Sequence, residues 1–163
     1  MSSTCAHSHG DGPGLHGQAL QAELAAAESR CVKLDQRLTD PRRRVLELLL
    51  EAGQPVKAYD LISTFGTDGA PAKPPTVYRA LDFLERQGFA HRIESLNAYV
   101  ACRRSQESHS AAFLICDCCG ATREVEPMVV GGELDALAGQ AGYVIRAVTV
   151  EAHGLCAACR EQD

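Results

Sequence analysis

Two Cys-x-x-Cys pairs, Cys116/Cys119 and Cys156/Cys159, constrain this chain more than any other feature. Two thiolates from each of two tight turns complete one tetrahedral zinc shell. An ion so enclosed keeps no open position for water or substrate, so the site is expected to hold structure and not to do chemistry. The same spacing also suits two disulfides or a thioredoxin-like redox pair. The start MSSTCAHSHGDGPG has no basic region leading into an apolar run, and no stretch reaches the roughly 20 apolar residues of a membrane span. A cytoplasmic protein with reduced thiols is therefore expected, and zinc is preferred over disulfides. Cys118 lies inside the first pair as an alternative ligand. Gly120 directly after Cys119 suits the tight knuckle turn, which favours Cys119.

Charge is spread unevenly. Residues 31–100 carry ten basic and nine acidic side chains, whereas residues 101–163 carry five and nine. The formal net charge of −5 argues against nonspecific adhesion to nucleic acid, but a DNA reader needs only a local basic face. Arg42, Arg43, Arg44, Lys57, Lys73, Arg79, Arg86 and Arg92 are the candidates for one.

Residues 1–14 are rich in Gly, Ser and His without hydrophobic period, so a mobile tail is expected over residues 1–16. Its Cys5, His7, His9 and His16 carry donors that suit a transition metal. From Gln18 to Lys33 the composition favours helix, with Leu20, Leu24, Ala27 and Cys31 at helical spacing. The segment LTDPRRRVLELLLEAG predicts a second helix: Thr39 or Asp40 caps it, Pro41 suits its first turn, and Gly53 ends it. Its buried face is Val45, Leu46, Leu49 and Leu50. A short third helix follows in KAYDLISTFG. Pro75 and Thr76 open a fourth, closed by Gly88, whose apolar positions Val77, Leu81 and Leu84 leave Tyr78, Arg79 and Arg86 on other faces. FAHRIES and NAYVAC then form a hairpin pattern.

Helices followed by a β-hairpin make a winged helix. In that arrangement the last helix before the wing enters the major groove with its N-terminal residues nearest the bases. The polar stretch 103–111 is a hinge, so residues 17–102 are expected to form the winged helix and residues 112–163 a second domain. AAFLIC, ATREVE and YVIRAVTVEAH read as strands and MVVGGELDALAGQAG as a helix. A domain that small needs a staple, and zinc and dimerisation would both supply one.

The pieces AYDL (58–61), KPPTVYRALDFLERQGF (73–89), HRIES (91–95), ICDCCG (115–120) and EAHGLCAAC (151–159), in this order, resemble the ferric uptake regulator family and within it the zinc uptake regulator branch. The resemblance implies an α+β protein: an N-terminal winged helix-turn-helix DNA-binding domain and a small C-terminal α/β dimerisation domain with structural zinc at Cys116, Cys119, Cys156 and Cys159. It implies a homodimeric, zinc-loaded transcriptional repressor of zinc-uptake genes that binds double-stranded DNA at an inverted repeat. Neither a membrane, nor a small organic substrate, nor an enzymatic activity is expected.

The resemblance also implies a second, regulatory zinc per subunit, held by His91, Cys102, His109 and Glu124. Such an N₂SO set suits tetrahedral zinc, and its thiolate disfavours hard ions. His153 falls where some relatives carry a further metal ligand. On the DNA side the resemblance assigns contacts to Tyr59, Thr76, Tyr78 and Arg79, with Arg42 and Lys73 at phosphates. One departure lies nearby: the family commonly has Leu-Thr-Pro before that arginine, whereas here Asp40 intervenes and the proline is Pro41.

Two other functions compete. An iron or peroxide sensor of the same family would carry a His-rich cluster before the first Cys pair, where this chain has only His109. A zinc-dependent deaminase would show His-x-Glu with Pro-Cys-x-x-Cys, and neither Cys pair follows proline. A zinc hydrolase would likewise need an open coordination position.

Overall fold

A computed structural model describes residues 14–66, 71–102, 111–125, 130–145 and 148–161. Among them residues 14–102 form one compact unit and residues 111–161 a second. No helix of the described residues is long and apolar enough to cross a membrane.

The first unit is built on four helices. Helix α1 spans Gly17–Lys33 and buries Leu20, Leu24, Ala27 and Cys31, the face that the 3.6-residue period marks. Helix α2 covers Asp40–Ala52 with Pro41 in its first turn; it buries Val45, Leu46, Leu49 and Leu50 and ends at Gly53, whose φ of 60° is left-handed. Thr39 occupies the cap position without a side-chain cap bond. Helix α3 is Ala58–Thr64 and helix α4 is Pro74–Arg86. Helix α4 buries Val77, Ala80, Leu81, Phe83 and Leu84, and it stops where Gly88 turns to a φ of 68° and the Phe89 amide reaches back to the Leu84 carbonyl at 2.8 Å. Each fully buried Leu or Val contributes about 1.5–3 kcal/mol. The single apolar cluster they form is the core of this unit.

The wing follows as predicted in place but not in strand number. Strands β2 (Ala90–Ile93) and β3 (Ala98–Ala101) pair antiparallel, with Asn97 at a φ of 47° in the turn. A third strand, β1 (Val56–Lys57), pairs with β3 on its other side, in the register Val56↔Tyr99. Two residues before α3 are too few to carry an alternating pattern, so this edge strand has no signature of its own.

The second unit has three strands in the order β5-β4-β6. Strand β4 (Ala111–Cys116) runs antiparallel to β5 (Thr122–Val125) and parallel to β6 (Thr149–Gly154), with helix α5 (Val130–Gln140) in the connection between β5 and β6. A short helix α6 (Ala157–Arg160) follows. The last strand is shorter than the sequence suggests. Tyr143 and Val144 lie outside it and are exposed, because the Tyr143 amide is spent on the Ala138 carbonyl (2.8 Å) as α5 closes at Gly142.

Candidate metal centres and nucleic-acid interface

The register Cys116↔Gly154 brings the ends of β4 and β6 to one edge of the sheet, and both Cys-x-x-Cys turns start there. Cys116 closes β4; the Gly120 amide bonds back to its carbonyl at 2.9 Å, and its own amide bonds to the Ala121 carbonyl at 2.8 Å. Gly120 takes a φ of 74°, which few side chains tolerate. Cys156 caps α6, which carries Cys159 one turn on. As a result Cys116, Cys119, Cys156 and Cys159 offer sulfurs that all lie within 4.8 Å of one another.

The donor geometry fits zinc. Tetrahedral coordination at a Zn–S distance of 2.3 Å sets sulfurs about 3.8 Å apart. The Cys119 and Cys156 sulfurs are 3.8 Å apart. The Cys156 amide donates to the Cys116 sulfur at 3.3 Å. Hydrogen bonds from the Cys119 and Cys156 backbones hold the Cys116 thiol down to about 6, whereas burial, and then the crowding of neighbouring thiols, pushes that of Cys159 up. Four sulfurs this close cannot all ionise by themselves, and a dication supplies the missing charge. Cys118 is exposed outside this set.

Two of the four residues expected at the regulatory site belong to the wing. His91 lies on β2 and Cys102 follows β3 directly; the Cys102 amide donates to the Phe89 carbonyl at 2.9 Å, which fixes it beside the start of β2. Their ligand atoms lie within 4.8 Å of each other. Cys102 is buried and His91 half-buried. Glu124 lies on β5 of the other unit, opposite Phe113. His109 lies outside the described residues, as do Cys5, His7 and His9 of the tail; His16 is the residue before α1 and is exposed. His153 on β6 is exposed, and its Nδ1 sits 2.9 Å from an Asp117 carboxylate oxygen.

On the DNA side, Tyr78 and Arg79 occupy the solvent face of α4, and Tyr59 on α3 is 77% exposed. Lys73 precedes α4 and is exposed; Thr76 is half-buried, its amide bonded to the Lys73 carbonyl at 2.9 Å. Pro74 and Pro75 contribute no N–H at this helix start, which leaves it fewer backbone donors than an ordinary helix N-terminus.

The Arg42–Arg44 run makes contacts within the protein that the sequence did not foretell. Arg42 stacks its guanidinium over the Phe83 ring, 3.6 Å from the centroid, and donates to the Arg37 carbonyl. Arg43 bonds to Gln21 at 3.1 Å; Arg44 bonds to the Phe65 carbonyl at 3.0 Å and to Glu47 at 2.7 Å. The basic face expected of this run is thus largely a set of struts among α1, α2, α3 and α4. Arg30, a residue with no sequence signal at all, lies over the Phe89 ring and donates to the Gln87 carbonyl, tying α1 to the end of α4.

A model of the ferric uptake regulator family matches residues 33–153. The zinc uptake regulation proteins of Escherichia coli K12 and Shigella flexneri are each 46% identical over 144 residues, covering 88% of this chain and 84% of theirs. A solved zinc uptake regulator complexed with zinc and DNA aligns with a TM-score of 0.79 at 44% identity, covering 90% of this chain and 98% of its own. The crystal structure of holo XcZur aligns with a TM-score of 0.75 at 46% identity, covering 86% and 98%.

Proposed function

This chain belongs to the ferric uptake regulator family, and on that footing we propose that it is a zinc-sensing transcriptional repressor that binds DNA and silences zinc uptake when zinc-loaded. It is a regulator and not an enzyme. The observation that carries the reading is the pairing of His91 with Cys102 on the wing that directly follows an α4 whose outer face presents Tyr78 and Arg79.

Helix α4 is the reading element. Arginine suits guanine through two parallel hydrogen bonds, and a tyrosine ring packs against a thymine methyl. Tyr59, Thr76, Tyr78 and Arg79 read the site, and Lys73, with the edge of Arg42 not engaged on Arg37, meets phosphates. The protein acts as a homodimer through its C-terminal unit, which exposes Leu137, Tyr143, Val144 and Leu155. A two-fold protein reads an inverted repeat. Such a repressor works in the cytoplasm, beside the DNA it reads.

Two zinc ions per subunit divide the labour. Cys116, Cys119, Cys156 and Cys159 hold the structural one. His91, Cys102, His109 and Glu124 hold the regulatory one, whose bound charge stabilises that donor set as a single shell. His91 and Cys102 are preorganised by the β2–β3 pairing, so ordering cost falls mainly on the other two ligands. A hundredfold preference of zinc for the DNA-competent arrangement corresponds to about 2.7 kcal/mol of coupling.

Titrating zinc into the full-length protein with a labelled operator duplex tests this. Zinc-dependent binding is expected, and Cys102→Ser abolishes it while leaving a folded dimer. Unchanged zinc-dependent binding by Cys102→Ser overturns the regulatory assignment.

A further inference from the structure

The side chain of Arg30 ends at the joint between helix α4 and the wing. Its guanidinium lies over the Phe89 ring, 4.6 Å from the centroid, and donates to the Gln87 carbonyl. A Cβ at Gly88 would come within 3.2 Å of the same guanidinium, so Arg30 lies against all three residues that lead from α4 into β2. The place suits a cation, because the last carbonyls of a helix carry partial negative charge and Arg30 meets them half-buried.

Phe89 connects this contact to the metal ligands. Its amide is bonded to the Leu84 carbonyl of α4 at 2.8 Å, and its carbonyl accepts the Cys102 amide at 2.9 Å. The second bond continues the β2–β3 ladder past the Ala90↔Ala101 pair and sets Cys102 beside His91, their ligand atoms within 4.8 Å of each other. Phe89 is thus held at three points: its amide on α4, its carbonyl on Cys102, and its buried ring under Arg30. Of these, the hold on the ring comes from α1, outside the segment that runs from α4 through the wing.

We infer that Arg30 is a positioning residue for the regulatory zinc site: from α1 it fixes the joint at residues 87–89, and through Phe89 it fixes the placement of Cys102 against His91. The inference rests on reading His91 and Cys102 as zinc ligands. A guanidinium coordinates no zinc, so Arg30 acts through Phe89. Without it the joint keeps its backbone bonds but loses the clamp on the Phe89 ring. The Cys102 backbone can then shift along β2, and zinc must order the two ligands itself. Partners that orient metal ligands contribute about 10–100-fold to affinity.

The test uses the full-length protein with zinc left in the four-cysteine knuckle. Cobalt is titrated into the second site, and the thiolate-to-cobalt charge-transfer band of Cys102 reports its occupancy. Arg30→Met keeps an unbranched stem but removes the charge and the donors, and it is expected to weaken cobalt binding about tenfold, the low end for residues that orient metal ligands. Arg30→Lys, which keeps a donor for the Gln87 carbonyl but has no planar face, falls between the parent and Arg30→Met. Arg44→Met controls for lost stability alone. Arg44 braces α2 against the Phe65 carbonyl at 3.0 Å, away from the wing, so its loss should lower the melting temperature and leave cobalt affinity at the parent value. The inference is overturned if Arg30→Met binds cobalt as tightly as the parent, or if Arg44→Met weakens binding equally. A parent whose cobalt band survives Cys102→Ser would sink the regulatory-site reading, and this inference with it.

Discussion

The Arg42 guanidinium lies 3.6 Å from the centroid of the Phe83 ring, joining the first turn of α2 to the last turn of α4. Arg42 is half-buried, so its charge is partly desolvated against the ring. Such a contact is worth about 0.5–2 kcal/mol. Arg42→Ala is expected to lower stability by about that amount in denaturant melts. Arg42→Lys should recover only part of the loss, since lysine lacks the planar face. If both variants melt with the parent, the ring contact contributes nothing.

Arg79 is exposed on α4. Arg79→Ala should leave the melting transition unchanged while weakening operator binding by about 1–3 kcal/mol. Lys73→Ala should weaken binding to all sequences alike and flatten the salt dependence by about one unit of slope. Fluorescence anisotropy at several salt concentrations separates the two behaviours, and equal salt slopes for parent and Lys73→Ala would refute the phosphate role.

Cys31 is buried on α1, and burial raises its thiol pKa above the usual value. The folded state therefore prefers the neutral thiol, and its contribution to stability is full below the unfolded pKa of about 8.5 and is lost as pH rises beyond it. Cys31→Ala, although it leaves a small cavity, should flatten the alkaline decline in stability. Among the described cysteines, alkylation at neutral pH is expected to reach Cys118 first and Cys31 last, as read by mass spectrometry of timed samples.

Removing zinc should affect the two units unequally. The first unit owns a continuous apolar core, whereas the second is small and relies on its thiolate cluster. Strong chelator, or Cys159→Ala, is predicted to unfold residues 111–161 while the first unit keeps its amide protection. Hydrogen exchange reports both at once, and uniform loss of protection would contradict the division.

Helix faces were legible because Leu20, Leu24 and Ala27, or Val45 and Leu49, repeat at a spacing that only one local conformation buries. The knuckle was legible for a similar reason: four ligands at fixed spacing are a local pattern. What the sequence hid were partnerships across long separations. Nothing near Arg30 announces Phe89, and nothing near Arg42 announces Phe83, so the part these arginines play in bracing the helices was invisible in the charged run itself. Tyr143 and Val144 are β-prone, yet the closure of α5 claims their backbone first. His91 and Cys102 became neighbours only once the hairpin register was fixed.

The parallel pairing of β4 with β6 gives the knuckle a further consequence. Cys116 and Cys156, 40 residues apart, converge only in the register that sets Cys116 against Gly154. Sliding β6 by one residue would displace its pair of sulfurs by about 3.3 Å, many times the roughly 0.2 Å that zinc–ligand distances tolerate. The ion thus acts as a ruler, rewarding one alignment of two distant strands and withholding its binding energy from every misaligned one.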